Sequence, residues 1–261
     1  ILIIKIYFKN RILIFMQTSK RIDYIKNWIL DYCKSMSKEP YSLVIGVSGG
    51  IDSSVVSTIC AMTKKKIFAV SMPIQQNKNQ YNLSLKHQEW LRDNHKNVET
   101  PIISLDETFK NFQNTLSNFH NLHGFANLRS RIRMVSLYQV AQSNNGLVVG
   151  TGNKVEDFGV GFYTKYGDGG IDISPIADCT KTEVWEMGRE LGIIKQIIDA
   201  VPTDGLWNDA RSDERQLGLS YENIEEAMKN SKSKYYKKYS KVREPNLHKM
   251  KPIPVCKIKR K

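Results

Sequence analysis

Two glycines, three serines and an aspartate lie close together in residues 48–54 and carry the strongest chemical signal in the chain. They follow the apolar residues 43–47 and precede apolar residues at helical spacing, which predicts a buried strand, a glycine turn and a helix start. Such a turn directs several backbone N–H groups toward one point, and the helix dipole adds roughly half a positive charge there. Asp52 adds a carboxylate, which suits a hard cation such as Mg²⁺. The pattern therefore predicts a site for a phosphate group and a metal ion.

The sequence Ser-Gly-Gly-Ile-Asp-Ser at 48–53 differs from two common phosphate-binding motifs. No Gly-Lys-Ser/Thr follows it, so it is not a Walker A loop, and its glycine spacing does not fit the dinucleotide fingerprint. It resembles the SGGxDS loop of the ATP pyrophosphatases, which split ATP into AMP and pyrophosphate. An ordinary glycine-rich turn is the simpler alternative.

Strands and helices alternate through residue 150, which predicts an α/β fold with ligands at the carboxyl ends of the strands. We expect a doubly wound, mostly parallel, five-stranded sheet with helices on both faces, a Rossmann-like arrangement of the ATP pyrophosphatase type. The predicted strands are 42–47, 67–71, 98–103 and 146–150, and the predicted helices include 19–36, 53–63, 79–95, 105–119, 126–142, 181–192 and 221–229. The long polar loop 150–180 is unusual inside a compact domain and indicates function.

Positive charge is concentrated at the carboxyl end of the chain. The net charge is +13 over 261 residues, but residues 229–261 hold thirteen Lys and Arg against the single acid Glu244. The rest of the chain is therefore close to neutral. We predict a leader at 1–17, non-native or disordered, a catalytic domain at 18–228, and a basic extension at 229–261. That extension is a solvated segment, an RNA-binding arm or a flap over anionic small molecules.

The cysteines and the apolar residues near the start of the chain give information on where in the cell the protein is located. Four cysteines without C-x-x-C or zinc spacing fit a reducing compartment, so we predict a cytoplasmic protein. Residues 1–15 are apolar but interrupted by charges, and no run approaches the roughly 20 residues of a membrane helix. We therefore expect no membrane association.

A series of blocks in order, from about residue 18 to 255, resembles the signature of the ammonia-dependent NAD synthetases. The motif at 48–53 is followed by Asn-Leu-Arg-Ser-Arg-Ile-Arg-Met at 127–134 and Gly-Thr-Gly-Asn-Lys-Val-Glu at 150–156. Further blocks are 162–176, 178–191, 202–207, 213–221 and the His-Lys pair at 248–249.

The resemblance implies a role for each matching residue. The ATP contacts it implies are Gly46, Val47, Ser48, Gly49, Gly50, Ile51, Asp52, Ser53, Thr151, Lys181 and Thr203. Asp52 and Glu156 would hold Mg²⁺, and Asp52, Lys181 and Ser48 would act in catalysis. The implied contacts with deamido-NAD are Arg131, Lys165, Asp172, His248 and Lys249, so part of the basic extension would close over the substrate.

The implied reaction is the ATP-dependent amidation of deamido-NAD to NAD⁺, through an adenylated nicotinate, with release of AMP and pyrophosphate. The chain has no room for the amidase domain of glutamine-using relatives, so ammonia is free or comes from a separate protein. The resemblance also implies a homodimer with the nicotinate pocket at its interface, to which helices 19–36 and 126–142 could contribute. An equally good alternative is that both helices simply pack on the sheet.

Three other functions stay open at the level of sequence. The same amidation on nicotinate mononucleotide would use the same ATP motifs. A tRNA-modifying ATP pyrophosphatase is compatible with the basic extension, but the scattered cysteines and the near-neutral body argue against this function. We predict no nucleic-acid partner. A nucleotide sensor would bind ATP without releasing pyrophosphate.

Overall fold

The computed structural model describes residues 5–8, 11–14, 16–207 and 211–258. Near the start of the chain, β1 (Lys5–Phe8) and β2 (Arg11–Ile14) pair antiparallel. The other residues of the first fifteen lie outside the described part, and the leader at 1–17 stays a prediction. Among the described residues, no helix has the length and apolar character needed to cross a membrane.

The central sheet of the described structure has four parallel strands rather than the five predicted. Its strands are β3 (Ser42–Gly46), β4 (Lys66–Val70), β5 (Val98–Glu99) and β6 (Gly146–Val148), in the order β5-β4-β3-β6. The predicted strand 98–103 shortens to two residues because Pro101 has no N–H to donate, and only an isolated bridge between Ser71 and Ile102 continues the pairing. The parallel α/β prediction is confirmed, and the strand count was wrong.

The outer edge of β6 shows why no fifth strand forms there. Ile173 makes a single parallel bridge with Val149. The adjoining Asp172 uses its side chain, because Oδ2 accepts a hydrogen bond from Val148 N at 2.8 Å. The side chain of Asp172 thus accepts the hydrogen bond that the backbone of a fifth strand would otherwise accept from Val148 N. This edge of the sheet therefore has no further paired strand.

Helices cover both faces of the sheet, as predicted. They are α1 (Thr18–Ser35), α2 (Ile51–Met62), α3 (Lys78–Asn94), α4 (Asp106–Thr115), α5 (Leu122–Ser143) and α6 (Lys181–Glu190). Buried residues of α1, α2, α3 and α6 form one apolar core with one side of the strands, and residues of α4 and α5 form a second core with the other side. Burial of alternating strand residues on two faces is what a doubly wound sheet requires.

The carboxyl-terminal third adds a smaller apolar cluster beside the strand ends. A π-helical turn at Val155–Val160 lies in the predicted loop 150–180, and it is followed by α6, α7 (Lys195–Ile198), α8 (Asp213–Leu217), α9 (Tyr221–Lys229), α10 (Tyr236–Arg243) and α11 (Leu247–Met250). Buried side chains of the π-helical turn, α8, α9 and α10 pack together. Tyr239 of the basic extension is 6% exposed in this cluster. The extension therefore packs against the body of the protein, and a domain boundary at residue 229 stays a prediction.

Candidate active site

Glycine occupies the two positions Gly49 and Gly50 after β3 for different structural reasons. Gly49 has φ +88°, and a Cβ there would lie 2.7 Å from the carbonyl oxygen of Gln80 and from Ser84 N in α3. Its conformation and its packing therefore both require glycine. A Cβ on Gly50 would meet only Ser48 Oγ, at 3.4 Å. Gly50 thus presents its backbone to open space, and no side chain caps the start of α2, which leaves the first turn accessible to an anion.

The serine hydroxyls of this loop hold the loop itself. Ser48 Oγ accepts from Gly50 N at 3.2 Å and lies 3.1 Å from Ser53 Oγ. Ser53 and Ser54 also donate to the carbonyl oxygen of Gly50, at 3.1 and 2.9 Å, and both are buried. Of the three, only Ser48 is exposed. These bonds preorganise the turn, which reduces the entropy lost when an anion binds.

A buried lysine between two carboxylates forms the charged centre of the site. Lys181, at the start of α6, is 2% exposed, and its Nζ lies 2.6 Å from Asp52 Oδ2 and 3.0 Å from Glu156 Oε1. Thr180 caps α6 and forms a capping box with Glu183, so the first turn that carries Lys181 is fixed. Residues from three separate segments, predicted to act together, are thus in direct contact.

The electrostatics of the three groups differ. Burial raises the pKa of Asp52, and the charge of Lys181 offsets this only in part. Burial would also raise the pKa of Glu156, but Lys181 and a hydrogen bond from Tyr221 outweigh it and leave that pKa below its ordinary value. Burial opposes the charge of Lys181, yet the two carboxylates raise its pKa. Lys181 therefore stays charged at neutral pH.

Asn153 and Tyr221 support this centre, and the sequence assigned no role to either side chain. Asn153 Nδ2 donates to Asp52 Oδ1 at 2.9 Å, while its Oδ1 accepts from Val155 N and Glu156 N at 3.0 and 3.1 Å. Tyr221 OH donates to Glu156 Oε1 at 2.6 Å. Both residues lie inside the matching blocks, so the blocks were a signal for them, but only the fold shows which atoms they bind.

A cavity of about 480 Å³ joins these elements at the carboxyl ends of the strands. All the predicted ATP contacts line it: Gly46, Val47, Ser48, Gly49, Gly50, Ile51, Asp52, Ser53, Thr151, Lys181 and Thr203. Glu156 and Lys249 line it as well. The walls also include Arg133, whose pKa burial lowers to about 10, and the segment 200–207.

The segment 200–207 is held over the cavity from two helices. Gln80 of α3 donates to Thr203 Oγ1, and Arg129 of α5 donates to the carbonyl oxygen of Leu206. The ring of Trp207 packs edge-on against His123, with centroids 5.0 Å apart. These contacts keep Thr203 at the cavity wall, where the sequence placed it.

The predicted substrate contacts separate into two groups. Lys249 lines the cavity, and its Nζ donates to the carbonyl oxygen of Tyr163 at 2.7 Å and lies 4.9 Å from the centroid of the Tyr163 ring. Burial lowers the pKa of Lys249. Arg131, Lys165, Asp172 and His248 do not line the cavity of the described chain.

Of these four residues, Arg131, Asp172 and His248 are exposed and Lys165 is half-buried. Arg131 is exposed on α5, with Nε and Nη2 each 3.4 Å from the carbonyl oxygen of Lys165. Asp172 Oδ1 accepts from Tyr138 OH at 2.9 Å. His248 Nδ1 lies 3.0 Å from the carbonyl oxygen of Pro245 and is exposed. The structure therefore joins the predicted ATP site in one place but leaves these substrate contacts outside it.

The two predicted metal ligands have the chemistry that Mg²⁺ needs. Asp52 and Glu156 present carboxylate oxygens to one buried point that Lys181 Nζ contacts. The described residues contain no group of three or more His, Cys, Asp or Glu placed to hold a metal. Two carboxylates completed by phosphate oxygens and water are the ligand set that Mg²⁺ commonly takes in nucleotide sites, so these residues fit it.

The parallel sheet, the phosphate loop at its edge and the adjoining charged cavity define an α/β nucleotide-binding protein. The family model described as NAD synthase matches residues 21–260, and the chain belongs to this family. It is 35% identical over 211 residues to the NH₃-dependent NAD⁺ synthetase of Carboxydothermus hydrogenoformans, covering 79% of this chain and 83% of that protein.

Two solved structures are similar over nearly the whole chain. The NMN synthetase from Francisella tularensis has a TM-score of 0.86 and 29% identity, covering 94% of this chain and all of that one. The NH₃-dependent NAD synthetase from Campylobacter jejuni has a TM-score of 0.75 and 26% identity, covering 93% of this chain and all of that one. The resemblance drawn from the sequence blocks is thus confirmed.

Proposed function

We propose that this protein amidates deamido-NAD to NAD⁺ with ammonia and ATP, and releases AMP and pyrophosphate. The observation that carries the proposal is the buried centre of Lys181, Asp52 and Glu156 beside the phosphate loop, in a chain of the NAD synthase family. A lysine beside the phosphate loop, together with two carboxylates that could take a divalent cation, is suited to holding a triphosphate next to an anionic acceptor.

The chemistry explains why ATP is needed. A free carboxylate is a poor electrophile, because its oxygen leaves badly. In the first step the nicotinate carboxylate oxygen bonds to the α-phosphorus of ATP, and the bond to the bridging oxygen breaks to release pyrophosphate. Ammonia then bonds to the carbonyl carbon of the adenylate, the bond to the phosphate oxygen breaks, and AMP departs while the nitrogen loses a proton. Several negative charges must be held together during the first step.

The residues of the site have separate tasks in this scheme. Backbone N–H groups around Gly50 and the hydroxyl of Ser48 bind phosphate oxygens, and Lys181 supplies a positive charge to them. Thr151 and Thr203 line the walls where ATP would lie. Asp52 and Glu156 would hold Mg²⁺, which when bound would neutralise charge on the phosphate oxygens. Asn153 fixes the carboxylate of Asp52 by its 2.9 Å hydrogen bond.

The acceptor side is proposed to be completed by a second copy of the chain. Arg131 and Val135 are exposed on α5, and Val135 is 61% exposed, an apolar side chain that a neighbour would cover. A homodimer through this face would add partner surface to the region of Lys165 and Asp172. Sedimentation of the purified protein tests this, because a monomer at assay concentration would contradict it.

Nicotinate mononucleotide is a second candidate acceptor. The observation that favours it is that the similar structure from Francisella tularensis, described as an NMN synthetase, has a higher TM-score than the NAD synthetase from Campylobacter jejuni. The reacting carboxylate is the same in both nucleotides, so the ATP site serves either reaction.

One assay tests both candidates. Purified protein is incubated with ATP, Mg²⁺ and ammonium, together with either deamido-NAD or nicotinate mononucleotide, and AMP, pyrophosphate and the amide product are quantified. We expect the three products in equal amounts with deamido-NAD and a higher kcat/KM than with the mononucleotide. Release of ADP and phosphate, or no amide from either acceptor, would refute the proposal.

A further inference from the structure

Tyr221 is buried next to the charged centre, and the proposed reaction gives it no task. It is the first residue of α9, it is fully buried, and Ser220 caps the helix. Lys181 Nζ lies 4.8 Å from the centroid of its ring. The ring of Trp185 packs edge-on against it, with centroids 5.9 Å apart. These contacts fix the ring, so the hydroxyl group has a defined position.

The hydroxyl of Tyr221 contacts two carboxyl groups, and burial raises the pKa of one of them, Asp213, to about 8. The hydroxyl lies 2.6 Å from Glu156 Oε1 and 3.2 Å from Asp213 Oδ2. A phenol has one proton to donate, and the shorter contact identifies Glu156 as the main acceptor. Burial raises the pKa of Tyr221, so the hydroxyl carries its proton at neutral pH.

The hydrogen bonds on Glu156 are unequally divided between its two oxygens. Lys181 Nζ donates to Oε1 at 3.0 Å, and Tyr221 OH donates to the same atom. Both of these donors bind Oε1, and the side chain of Asn153, which also lowers the pKa of Glu156, is a third donor beside this carboxylate. A carboxylate bound on one oxygen by two donors has little freedom to rotate, so its second oxygen keeps one direction.

We propose that Tyr221 is a positioning residue that binds Oε1 of Glu156 and so leaves Oε2 as the oxygen that takes the divalent cation of the nucleotide complex. This inference rests on the proposed function, because it takes Glu156 as a metal ligand. A role of Tyr221 in filling the apolar cluster alone predicts that the phenyl ring suffices. The two roles separate in the Tyr221→Phe variant, which keeps the ring and its contact with Lys181 but loses the hydroxyl.

The test measures cation binding rather than turnover. Mn²⁺ is titrated into protein saturated with a non-hydrolysable ATP analogue, and free Mn²⁺ is followed by electron paramagnetic resonance. Loss of one hydrogen bond to a charged acceptor is expected to raise the Kd of Mn²⁺ roughly tenfold or more in Tyr221→Phe. Tyr32→Phe is the control, because Tyr32 lies on α1 outside this cluster with its ring stacked on Trp28, and the Kd of Mn²⁺ for that variant is expected to stay within about twofold of wild type.

A double-mutant cycle with Glu156→Gln shows whether Tyr221 acts through Glu156. In the Glu156→Gln background, Tyr221→Phe is expected to change the Kd by less than about twofold, because the carboxylate it orients is gone. An unchanged Kd in Tyr221→Phe alone, or the same factor in both backgrounds, would overturn the inference. Thermal melting of each variant identifies a folding defect. A wild-type protein that binds no Mn²⁺ with the analogue would instead overturn the proposed function, and this inference with it.

Discussion

Replacing Lys181 by methionine probes the most unusual feature of the structure, a lysine that is 2% exposed between two carboxylates. Methionine keeps most of the side-chain length but removes the charge. Asp52 and Glu156 would then face each other without a cation, and breaking a buried ion pair on one side costs about 3–5 kcal/mol. With about 2–4 °C in Tm for each kcal/mol in a chain of this size, the melting temperature should fall by about 6–20 °C.

The loss should depend on pH in a definite direction. Burial already raises the pKa of Asp52 in the wild-type protein, and removing Lys181 removes the group that offsets this. A carboxyl whose folded-state pKa is raised favours folding at low pH, and that contribution disappears as pH rises through the raised value. The stability difference between Lys181→Met and wild type should therefore be largest near neutral pH and smaller in mild acid.

Thermal denaturation followed by circular dichroism, without nucleotide, measures both effects. Lys26→Met is the matched control, because Lys26 pairs with Asp23 at 2.6 Å on the surface and the same substitution should cost at most about 1 kcal/mol. Adding Asp52→Asn to Lys181→Met should recover part of the lost stability by removing an unpaired charge. If Lys181→Met melts no lower than Lys26→Met, or if the added Asp52→Asn lowers stability further, the account of the centre is refuted.

Three further predictions concern the loop, the metal site and the extension. Asp52→Ala should abolish pyrophosphate release in the full assay, and residual release above about 1% of wild type would count against a role in adenylation. Gly49→Ala should destabilise the fold by about 1–3 kcal/mol in urea unfolding, because of its φ of +88° and the 2.7 Å approach to α3. Gly50→Ala should leave unfolding nearly unchanged but weaken ATP binding, so equal stability losses would contradict the different roles of the two glycines. Lys249→Ala should mainly raise the KM for the acceptor nucleotide, whereas a fall in kcat alone would contradict binding by the extension.

The order of strands and helices followed from the sequence because local patterns determine them. The alternation of predicted strands and helices predicted the parallel sheet. The glycine turn after the first of those strands predicted which edge of the sheet binds ligand. The prediction of a fifth strand was wrong because the side chain of Asp172 takes the hydrogen bond at the free edge of β6. Hydrophobic periodicity gives no information about such a side-chain contact. Strand 98–103 was too long in the prediction, although Pro101 was visible as a breaker. The helix α8 was missed because five residues are too few for a periodic signal.

The residues of the site also differ in how well the sequence predicts them. Residues on the phosphate loop could be predicted from the local sequence, because consecutive residues share one turn. Lys181 and Glu156 lie on distant segments, and only the family resemblance indicated that they act together. The serines show that residue type alone does not identify a ligand contact. The hydroxyls of Ser53 and Ser54 donate to the carbonyl oxygen of Gly50 within the loop itself. Tyr221 was not assigned a role because a tyrosine after a capping serine has no chemical signature of its own. Only its 2.6 Å approach to Glu156 reveals one.

The carboxyl-terminal third supports the charged centre of Lys181, Asp52 and Glu156 through the π-helical turn that carries Glu156. Arg243 donates to the carbonyl oxygens of Phe158 and Gly159, and Asn246 donates to that of Val160 at 3.0 Å. Lys249 continues the same row with its bond to Tyr163. A π-helical turn is less favourable than regular helix and persists where its carbonyl groups find other donors. Arg243 and Asn246 of the basic extension supply those donors, so the charge of Arg243 stabilises the segment that places Glu156, in addition to any charge the extension presents to an anionic substrate.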